Sequence, residues 1–304
     1  MRRNCKKIRR LYPKGYGRYI YITIKNCDSV NHFKENRMIT STSNPRIKQV
    51  VLWQSKAKER RKDGIFLAEG FKMYGEAPLD WVREVYLAQG ALEKAKQDLY
   101  IWKKLEQTGY ETVSDEVMEK MADTQTPQGI LTVLKRPEYE EEELYRKPNG
   151  LYVVLEDLQD PGNLGTIMRT GEGAGVTAVI MSKGTVDLFN PKTIRATMGS
   201  VYRIPFIISD NLQESLQKMK KNGIKTYAAH LSGTQYFTGT SYCGGTAFLI
   251  GNEGNGLTKE TADAADAYIK IPMEGRLESL NAAVATALLV YEAKRQRTAG
   301  TPKE

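Results

Sequence analysis

The second half of the sequence contains six short, almost entirely apolar segments, separated by stretches with helical periodicity. Strands that are apolar on both faces are typical of a parallel sheet, because helices cover both of its sides. The pattern therefore predicts an α/β fold with a covered parallel sheet. The predicted strands are Leu151–Leu155, Val176–Met181, Pro205–Ile208, Thr226–Ala229, Ala247–Ile250 and Ala267–Ile271.

Three loops that follow predicted strands carry the polar residues expected of a site. Ligands of parallel sheets bind beyond the carboxyl ends of the strands, so chemistry is expected in these loops. The first loop turns through Asp160-Pro-Gly162 into a helix, with Asn163 near its start and Arg169 six residues later. Asn163 could simply cap the helix and Arg169 could be a surface cation, but both lie near enough to the loop to share a site.

The second loop, Gly251-Asn-Glu-Gly-Asn-Gly256, has the glycine spacing of a phosphate loop. Leu257 stands where the phosphate-binding lysine belongs, which argues against a nucleoside triphosphatase. The glycines instead allow a ligand to approach the backbone closely, and Glu253 adds a carboxylate. The segment Gly173–Ala178 fits a dinucleotide fingerprint, but it follows a helix and precedes a strand, the reverse of what pyrophosphate binding requires.

The third loop begins at Ile271 and leads into a long alanine-rich helix, for which Ser279 or Asn281 is the predicted N-cap. Small residues on this helix allow close backbone packing, so a tightly packed terminal helix is the simplest interpretation. The combination of the three loops is more informative than any one of them.

The first half of the sequence predicts a smaller α/β domain. Its first helix begins with Asn44 as N-cap and Pro45 at the first helical position. Glutamates between Pro137 and Gly150 predict a linker. The expected divisions are a disordered basic extension (1–37), a substrate-binding domain (38–136), a linker (137–150) and a catalytic domain (151–304). The elements predicted in the first domain are strands at 65–68, 82–87 and 129–134 and helices at 91–107 and 115–121.

The net charge of +9 is concentrated at the amino terminus. Residues 1–37 hold 11 Lys or Arg and 2 Asp or Glu, and the remaining 34 basic and 34 acidic side chains balance. Overall charge is therefore weak support for nucleic-acid binding, which depends on local clusters. One such cluster, Lys56–Lys62, is either a solvated helix end or an RNA contact.

Cysteine and histidine are rare in this sequence. Cys5, Cys27, Cys243, His32 and His230 have no spacing typical of a disulfide framework or a zinc site. No apolar run approaches the roughly 18 residues that cross a bilayer. A cytoplasmic protein without a metal or a membrane span is expected.

Taken together, the three loops resemble the three signature motifs of the SpoU/TrmH family of RNA methyltransferases, in their order and spacing. The resemblance covers residues 151–297, and residues 38–135 are similar to the family's small α/β substrate-binding domain, which is ribosomal protein L30e-like. The matching motifs are Asp160-Pro-Gly-Asn-Leu-Gly-Thr-Ile-Met-Arg169, Ile250-Gly-Asn-Glu-Gly-Asn-Gly-Leu257 and Ile271-Pro-Met-Glu-Gly275 with Ser279-Leu-Asn-Ala-Ala-Val284.

The resemblance implies a SPOUT-class fold with a trefoil knot, a homodimer, and S-adenosylmethionine as methyl donor. It also implies transfer to a ribose 2′-hydroxyl of structured RNA, with 23S ribosomal RNA as first choice. The cofactor contacts that it implies are Gly251, Ile271 and Leu280. The catalytic set that it implies is Asn163, Arg169, Glu253, Ser279 and Asn281.

Within that set, Arg169 is expected to act across the dimer, as a base or as a phosphate clamp. We favour the clamp, because a guanidinium stays protonated and its planar fork suits a ribose-phosphate group. A bulky residue at Gly251 is expected to block donor binding in a folded chain. Two alternatives stay open, namely a transfer-RNA 2′-O-methyltransferase and a non-catalytic RNA-binding protein of the same fold.

Overall fold

A computed structural model describes residues 38–233, 235–274, 276 and 279–299, so the predicted basic extension lies outside the described residues. The strands of the first sheet are β1 (Ile65–Glu69), β2 (Val82–Ala88), β3 (Glu111–Val113) and β4 (Ile130–Lys135). Their order is β1-β4-β2-β3, with β4 antiparallel to β1 and β2, and β3 parallel to β2. The accompanying helices are α1 (Pro45–Ser55), α2 (Ala57–Asp63), α3 (Phe71–Glu76), α4 (Leu92–Gln97), α5 (Leu99–Thr108) and α6 (Asp115–Met121).

The second sheet has seven strands, all parallel to their neighbours. They are β5 (Leu151–Leu155), β6 (Ala178–Ser182), β7 (Phe206–Ser209), β8 (Lys225–Ala229), β9 (Gln235–Tyr236), β10 (Thr246–Ile250) and β11 (Ala267–Lys270). Their order is β7-β6-β5-β10-β8-β11-β9. The helices of this part are α7 (Glu141–Tyr145), α8 (Pro161–Ala174), α9 (Pro191–Thr197), α10 (Leu212–Lys221), α11 (Lys259–Asp263) and α12 (Ala282–Thr298). The predicted parallel α/β sheet is confirmed.

Both faces of the central strands of the seven-stranded sheet are buried, as their apolar sequences predict. Along β5, Val153 lies in a core cluster with residues of α8 and α12, whereas Val154 lies in a cluster with residues of α10 and α11. Alternate side chains of a strand point to opposite faces, so two separate layers of helices are needed to cover β5. In the described residues, no helix is long and apolar enough to span a membrane.

The two sheets belong to one compact unit and share part of a core. Phe66 of β1 packs on Phe189 with ring centroids 5.0 Å apart. Beside them, Arg60 is 2% exposed and donates to the Asp187 carboxylate at 2.6 Å and to the Trp53 carbonyl at 2.7 Å. The charged cluster at 56–62 is therefore neither wholly solvated nor wholly free for RNA, since Arg60 is buried and bonded to Trp53, Gln54 and Asp187.

Several local predictions differ from the structure. The helix predicted at 91–107 is two helices, because the Asp98 side chain accepts the N–H groups of Tyr100 and Ile101 and begins a new helix there. The predicted linker contains α7, whose Tyr145 is buried. The predicted cap at Asn44 is confirmed. The division into domains stays a prediction.

Removal of the Asp187 carboxylate should destabilise the fold, because Arg60 would remain buried without its counter-charge. We expect Asp187→Ala to lower the free energy of unfolding by about 3 kcal/mol. Glu93→Ala, which removes an exposed ion pair with Lys96 on α4, is the matched control and should cost about 0.5 kcal/mol or less. Urea unfolding followed by circular dichroism measures both, and equal losses would contradict this role for Arg60.

Candidate active site

The three loops identified from the sequence meet at one edge of the seven-stranded sheet. Because β5, β10 and β11 are parallel members of this sheet, the loops that follow them leave from the same side. The first loop connects β5 to α8, the second connects β10 to α11, and the third connects β11 to α12. Polar residues more than 90 positions apart in the sequence can therefore bond directly.

Asn163 and Glu253 form the centre of this site. The Asn163 side-chain amide donates to Glu253 Oε1 at 3.0 Å. The same carboxylate accepts the backbone N–H groups of Gln159 at 3.0 Å and Asp160 at 3.1 Å. Asn163 is not the N-cap of α8, since Asp160 is the cap and accepts the N–H of Asn163 at 2.7 Å. The side chain of Asn163 is thus available for the site.

Asn281 extends this pair from the third loop. Its side-chain amide donates to Asn163 Oδ1 at 2.9 Å, while its own Oδ1 accepts the N–H groups of Ala283 and Val284 and caps α12. A carboxylate can only accept, so Asn163 must present its NH₂ group to Glu253 and its oxygen to Asn281. One amide hydrogen of Asn163 has no hydrogen-bond acceptor among the described residues.

The hydrogen bonds at Glu253 also set its charge state. Burial by itself would raise the pKa of Glu253, but the donors on Gln159, Asn163 and Asp160 outweigh burial and lower this pKa below its ordinary value. Glu253 is therefore an anion at neutral pH and a weak base. This arrangement suits a group that orients Asn163 better than one that removes a proton.

The first and second loops are held together by residues that the sequence argument did not single out. Glu156 is buried and accepts the N–H and hydroxyl of Thr258, both at 2.8 Å. Asn252 donates to the Asp157 carbonyl at 2.8 Å. The available signal was their position, because Glu156 and Asp157 directly follow an apolar strand and Asn252 directly precedes Glu253.

Two members of the predicted catalytic set lie outside this network. Arg169 is exposed on α8 and forms no hydrogen bond or ion pair with any described residue. Ser279 is also exposed and has no hydrogen bond within the described part of the chain. The structure thus brings together Asn163, Glu253 and Asn281, and the roles of Arg169 and Ser279 stay predictions.

The three predicted donor contacts lie in the second and third loops. Ile271 follows β11 and packs against the core, and Leu280 is half-buried beside Asn281. Gly251 follows β10, and a Cβ atom added there would lie 2.0 Å from the carbonyl carbon of Gly256. Any side chain at Gly251 would therefore displace the second loop itself. That such a variant stays folded and loses donor binding stays a prediction.

Comparison with known proteins identifies the family. A model of the SpoU rRNA Methylase family matches residues 150–291, and a model of the MRM3-like substrate binding domain matches residues 44–132. The chain is 34% identical to the 23S rRNA (guanosine(2553)-2′-O)-methyltransferase RlmP of Bacillus subtilis (strain 168) over 84% of this chain and 98% of that protein. This chain belongs to the SpoU rRNA methylase family.

Solved structures support the same assignment. The AdoMet-bound rRNA methyltransferase from Sinorhizobium meliloti is 31% identical, with a TM-score of 0.76 over 85% of this chain and 97% of that one. The SpoU methyltransferase AviRb from Streptomyces viridochromogenes, solved with AdoMet, is 23% identical and shares the fold, with a TM-score of 0.74 over 84% and 99% of the two chains. The predicted SPOUT-class α/β fold, RNA methyltransferase class and S-adenosylmethionine donor are confirmed.

The residues present fit such a donor. Pro272, Met273 and Glu274 follow β11 and belong to no helix or strand, so their backbone groups are not used within one. The exposed Gly254 has space for a ligand, since an added Cβ would meet only Asn252 Oδ1, at 3.4 Å. The described residues contain no group of three His, Cys, Asp or Glu side chains that could hold a metal ion.

Replacement of Glu253 by glutamine tests the central hydrogen bonds. Glu253→Gln places an NH₂ group where an acceptor is needed, and we expect a loss of about 1 kcal/mol in unfolding free energy at pH 7, because the exposed donors can turn to water. The lowered pKa means that the carboxylate's contribution is complete above the ordinary value of 4.5 and is lost as the pH falls through the folded-state pKa.

The stability difference between the wild type and Glu253→Gln should therefore be constant from pH 7 to about pH 5 and shrink at lower pH. Urea unfolding at a series of pH values measures it. Glu119→Gln serves as control, since Glu119 is an exposed carboxylate with no hydrogen bond to the described residues. A stability difference that stays the same at every pH would show that the hydrogen bonds to Glu253 do not depend on its charge.

Proposed function

We propose that this chain transfers a methyl group from S-adenosylmethionine to a ribose 2′-hydroxyl of 23S ribosomal RNA. The observation that carries the proposal is the hydrogen-bonded chain Glu253–Asn163–Asn281, which joins all three family motifs at one edge of the sheet. Only RNA offers a 2′-hydroxyl, and the Bacillus subtilis relative named above acts on a guanosine of 23S rRNA. That guanosine is the first position to examine.

The chemistry requires alignment more than covalent participation by the protein. When bound, S-adenosylmethionine would supply an electrophilic methyl group on its sulfonium. The ribose C–O bond would form in line as the C–S bond breaks, with release of S-adenosylhomocysteine and of the hydroxyl proton. The unpaired amide hydrogen of Asn163 can donate to the sugar-phosphate group. Glu253 and Asn281 fix the amide plane from both sides, so its donor is oriented before the substrate arrives.

Arg169 completes the site as a phosphate clamp. It follows Asn163 by six residues on the uninterrupted helix α8, which places it about 9 Å further along the axis and about 120° around it. The side chain therefore leaves the helix on a different face from Asn163. Arg169 can therefore reach the active site of a partner subunit more readily than the active site of its own subunit.

The surface around Arg169 supports such a partner. Val284, Leu288 and Tyr291 lie on one face of α12 and are 49%, 40% and 48% exposed. The Tyr291 hydroxyl would lie 3.0 Å from a Cβ added at Gly173, which is one turn after Arg169 on α8. The apolar face and Arg169 thus share one side of the molecule. We infer that two copies pair through this face, as a homodimer acting on ribosomal RNA in the cytoplasm.

The proposal is tested by donor binding and methyl transfer together. Isothermal titration should show binding of S-adenosylmethionine but not of NAD or ATP. Transfer of labelled methyl groups should occur with 23S rRNA from a strain that lacks the gene, and ribose methylation mapped by primer extension should be missing in that strain. Methylation of transfer RNA alone would show that transfer RNA, and not 23S rRNA, is the substrate. Binding of donor or RNA without any methylation would favour a non-catalytic RNA-binding protein.

The Arg169→Ala variant distinguishes a role of Arg169 in methyl transfer from a role in donor binding. We expect unchanged affinity for S-adenosylmethionine and a fall in transfer of about 100- to 1,000-fold, as when one preorganised charged donor is removed. Arg169→Lys should recover little, because a point charge does not reproduce the bidentate fork. Single-turnover kinetics measures the transfer step, and near-normal turnover by Arg169→Ala would remove this residue from the mechanism.

Mixed dimers show whether the site is shared. Homodimers with Arg169→Ala and homodimers with Glu253→Ala are each expected to transfer methyl groups at a strongly reduced rate. If Arg169 acts across the interface, the heterodimer combines one intact Glu253 loop with the other subunit's intact Arg169, and one of its two sites works. Absence of this complementation in dimers of verified composition would place each complete site within one chain.

A further inference from the structure

Asp157 has an unusual backbone conformation beside the site. It is one of three described non-glycine residues with positive φ, together with Asn149 and Met198, and each has φ of 52°. Left-handed backbone is costly for residues with a Cβ atom, although Asp and Asn tolerate it better than most. Such conformations persist where surrounding contacts hold them, and they concentrate at functional sites. Asp157 lies directly between β5 and the residues whose N–H groups bind Glu253.

Contacts with the end of β6 hold Asp157 in this conformation. Its N–H donates to Ser182 Oγ at 2.8 Å, and the Ser182 hydroxyl donates back to Asp157 Oδ1 at 2.7 Å. A Cβ atom added at Gly184 would lie 2.1 Å from the same Oδ1, so a side chain there would displace the carboxylate. The carboxylate is therefore fixed by the strand next to β5.

The carbonyl of Asp157 in turn organises the second loop. It accepts the side-chain amides of Gln159 at 2.7 Å and Asn252 at 2.8 Å. Asn252 Oδ1 then accepts the N–H groups of Gly254 at 2.8 Å and Asn255 at 3.2 Å, which closes the turn that contains Glu253. An extended conformation at Asp157 would turn the carbonyl away and leave Asn252 without its acceptor.

We propose that Asp157 is a positioning residue for methyl transfer. Its left-handed backbone and its bond to Ser182 bring the loops after β5, β6 and β10 into the arrangement in which Glu253 accepts from Asn163. Asp157 acts through Glu253 and Asn163 and does not touch the reacting atoms. The expected effect of Asp157 on the turnover number rests on the proposed function, whereas its effect on the hydrogen bonds of Glu253 does not.

Three substitutions separate the contribution of the backbone from that of the carboxylate. Asp157→Val introduces a β-branched residue that opposes positive φ, and we expect the turnover number to fall about 100-fold, as for displacement of a catalytic group by roughly 1 Å. The Michaelis constant for S-adenosylmethionine should stay close to that of the wild type. Asp157→Asn keeps both the backbone tolerance and an acceptor for Ser182, so it should retain turnover. Asp157→Gly should recover most of the loss.

Asn149→Val is the matched control. Asn149 has the same φ but precedes β5, at the opposite end of the strand from Asp157. The substitution should lower thermal stability to a similar extent while leaving the turnover number of the folded protein unchanged. An equal kinetic loss in Asn149→Val, or unchanged turnover in Asp157→Val, would overturn the proposal.

Carbon-13 NMR titration of glutamate side chains gives a second readout that needs neither RNA nor donor. The donors that lower the pKa of Glu253 depend on the loop geometry, so Asp157→Val should raise this pKa toward its ordinary value, and Asn149→Val should not. If wild-type protein transfers no methyl group, the proposed function fails, but the titration still decides the effect of Asp157. An unmoved Glu253 titration in Asp157→Val would contradict the inference.

Discussion

The Glu253 carboxylate holds the loop after β5 against the loop after β10. It accepts two backbone N–H groups and one side-chain amide from the first loop, although 90 or more residues separate the partners in sequence. Charged acceptors form the stronger hydrogen bonds, and here three donors share one acceptor group. The geometry of Asn163 depends on this anion and on Asn281, which is itself fixed at the start of α12. The parallel sheet brings the loops close, and the carboxylate fixes their relative position.

Residues of this site combine structural and chemical roles. Asn281 caps α12 with its oxygen and orients Asn163 with its nitrogen, so the start of the helix and the site are fixed by one side chain. Asp160 caps α8 with its side chain while its N–H binds Glu253. A change at either residue would alter the helix and the site together. Kinetic effects of such changes therefore cannot be separated from helix-end stability without matched controls.

The sequence predicted the parts of the fold that depend on local pattern. Continuous apolar runs predicted the strands of the parallel sheet, and Asn44 before Pro45 predicted the first helix. The helix predicted at 91–107 was wrong because the Asp98 side chain begins a new helix inside it. The cluster at 56–62 was interpreted as a solvated helix end or an RNA contact, because the counter-charge of Arg60, Asp187, lies 127 positions away. Local propensity cannot reveal such a pair.

The sequence likewise predicted some features of the candidate site and not others. Asn163 looked like a helix cap because its position at the start of α8 suits one, yet Asp160 takes that role and frees Asn163 for Glu253. The motifs identified Glu253 and Asn281, but the bonds among them become visible only when the three loops meet. Asp157 was not predicted as part of the site, because the sequence does not show which non-glycine residues have positive φ.

The hydrogen-bonded residues at the centre of the site differ from Arg169 in how their side chains are held. Asn163, Glu253 and Asn281 are held by bonds within one chain, so their geometry exists before any RNA arrives. Arg169 is exposed, leaves α8 on another face and has no bond to the described residues, so its long side chain is not preorganised by its own subunit. Beside it lies an apolar helix face that a second copy can cover. In the proposed dimer, pairing would complete the site as well as stabilise the protein, because it would bring the proposed phosphate clamp to a centre that already has its amide donor in place.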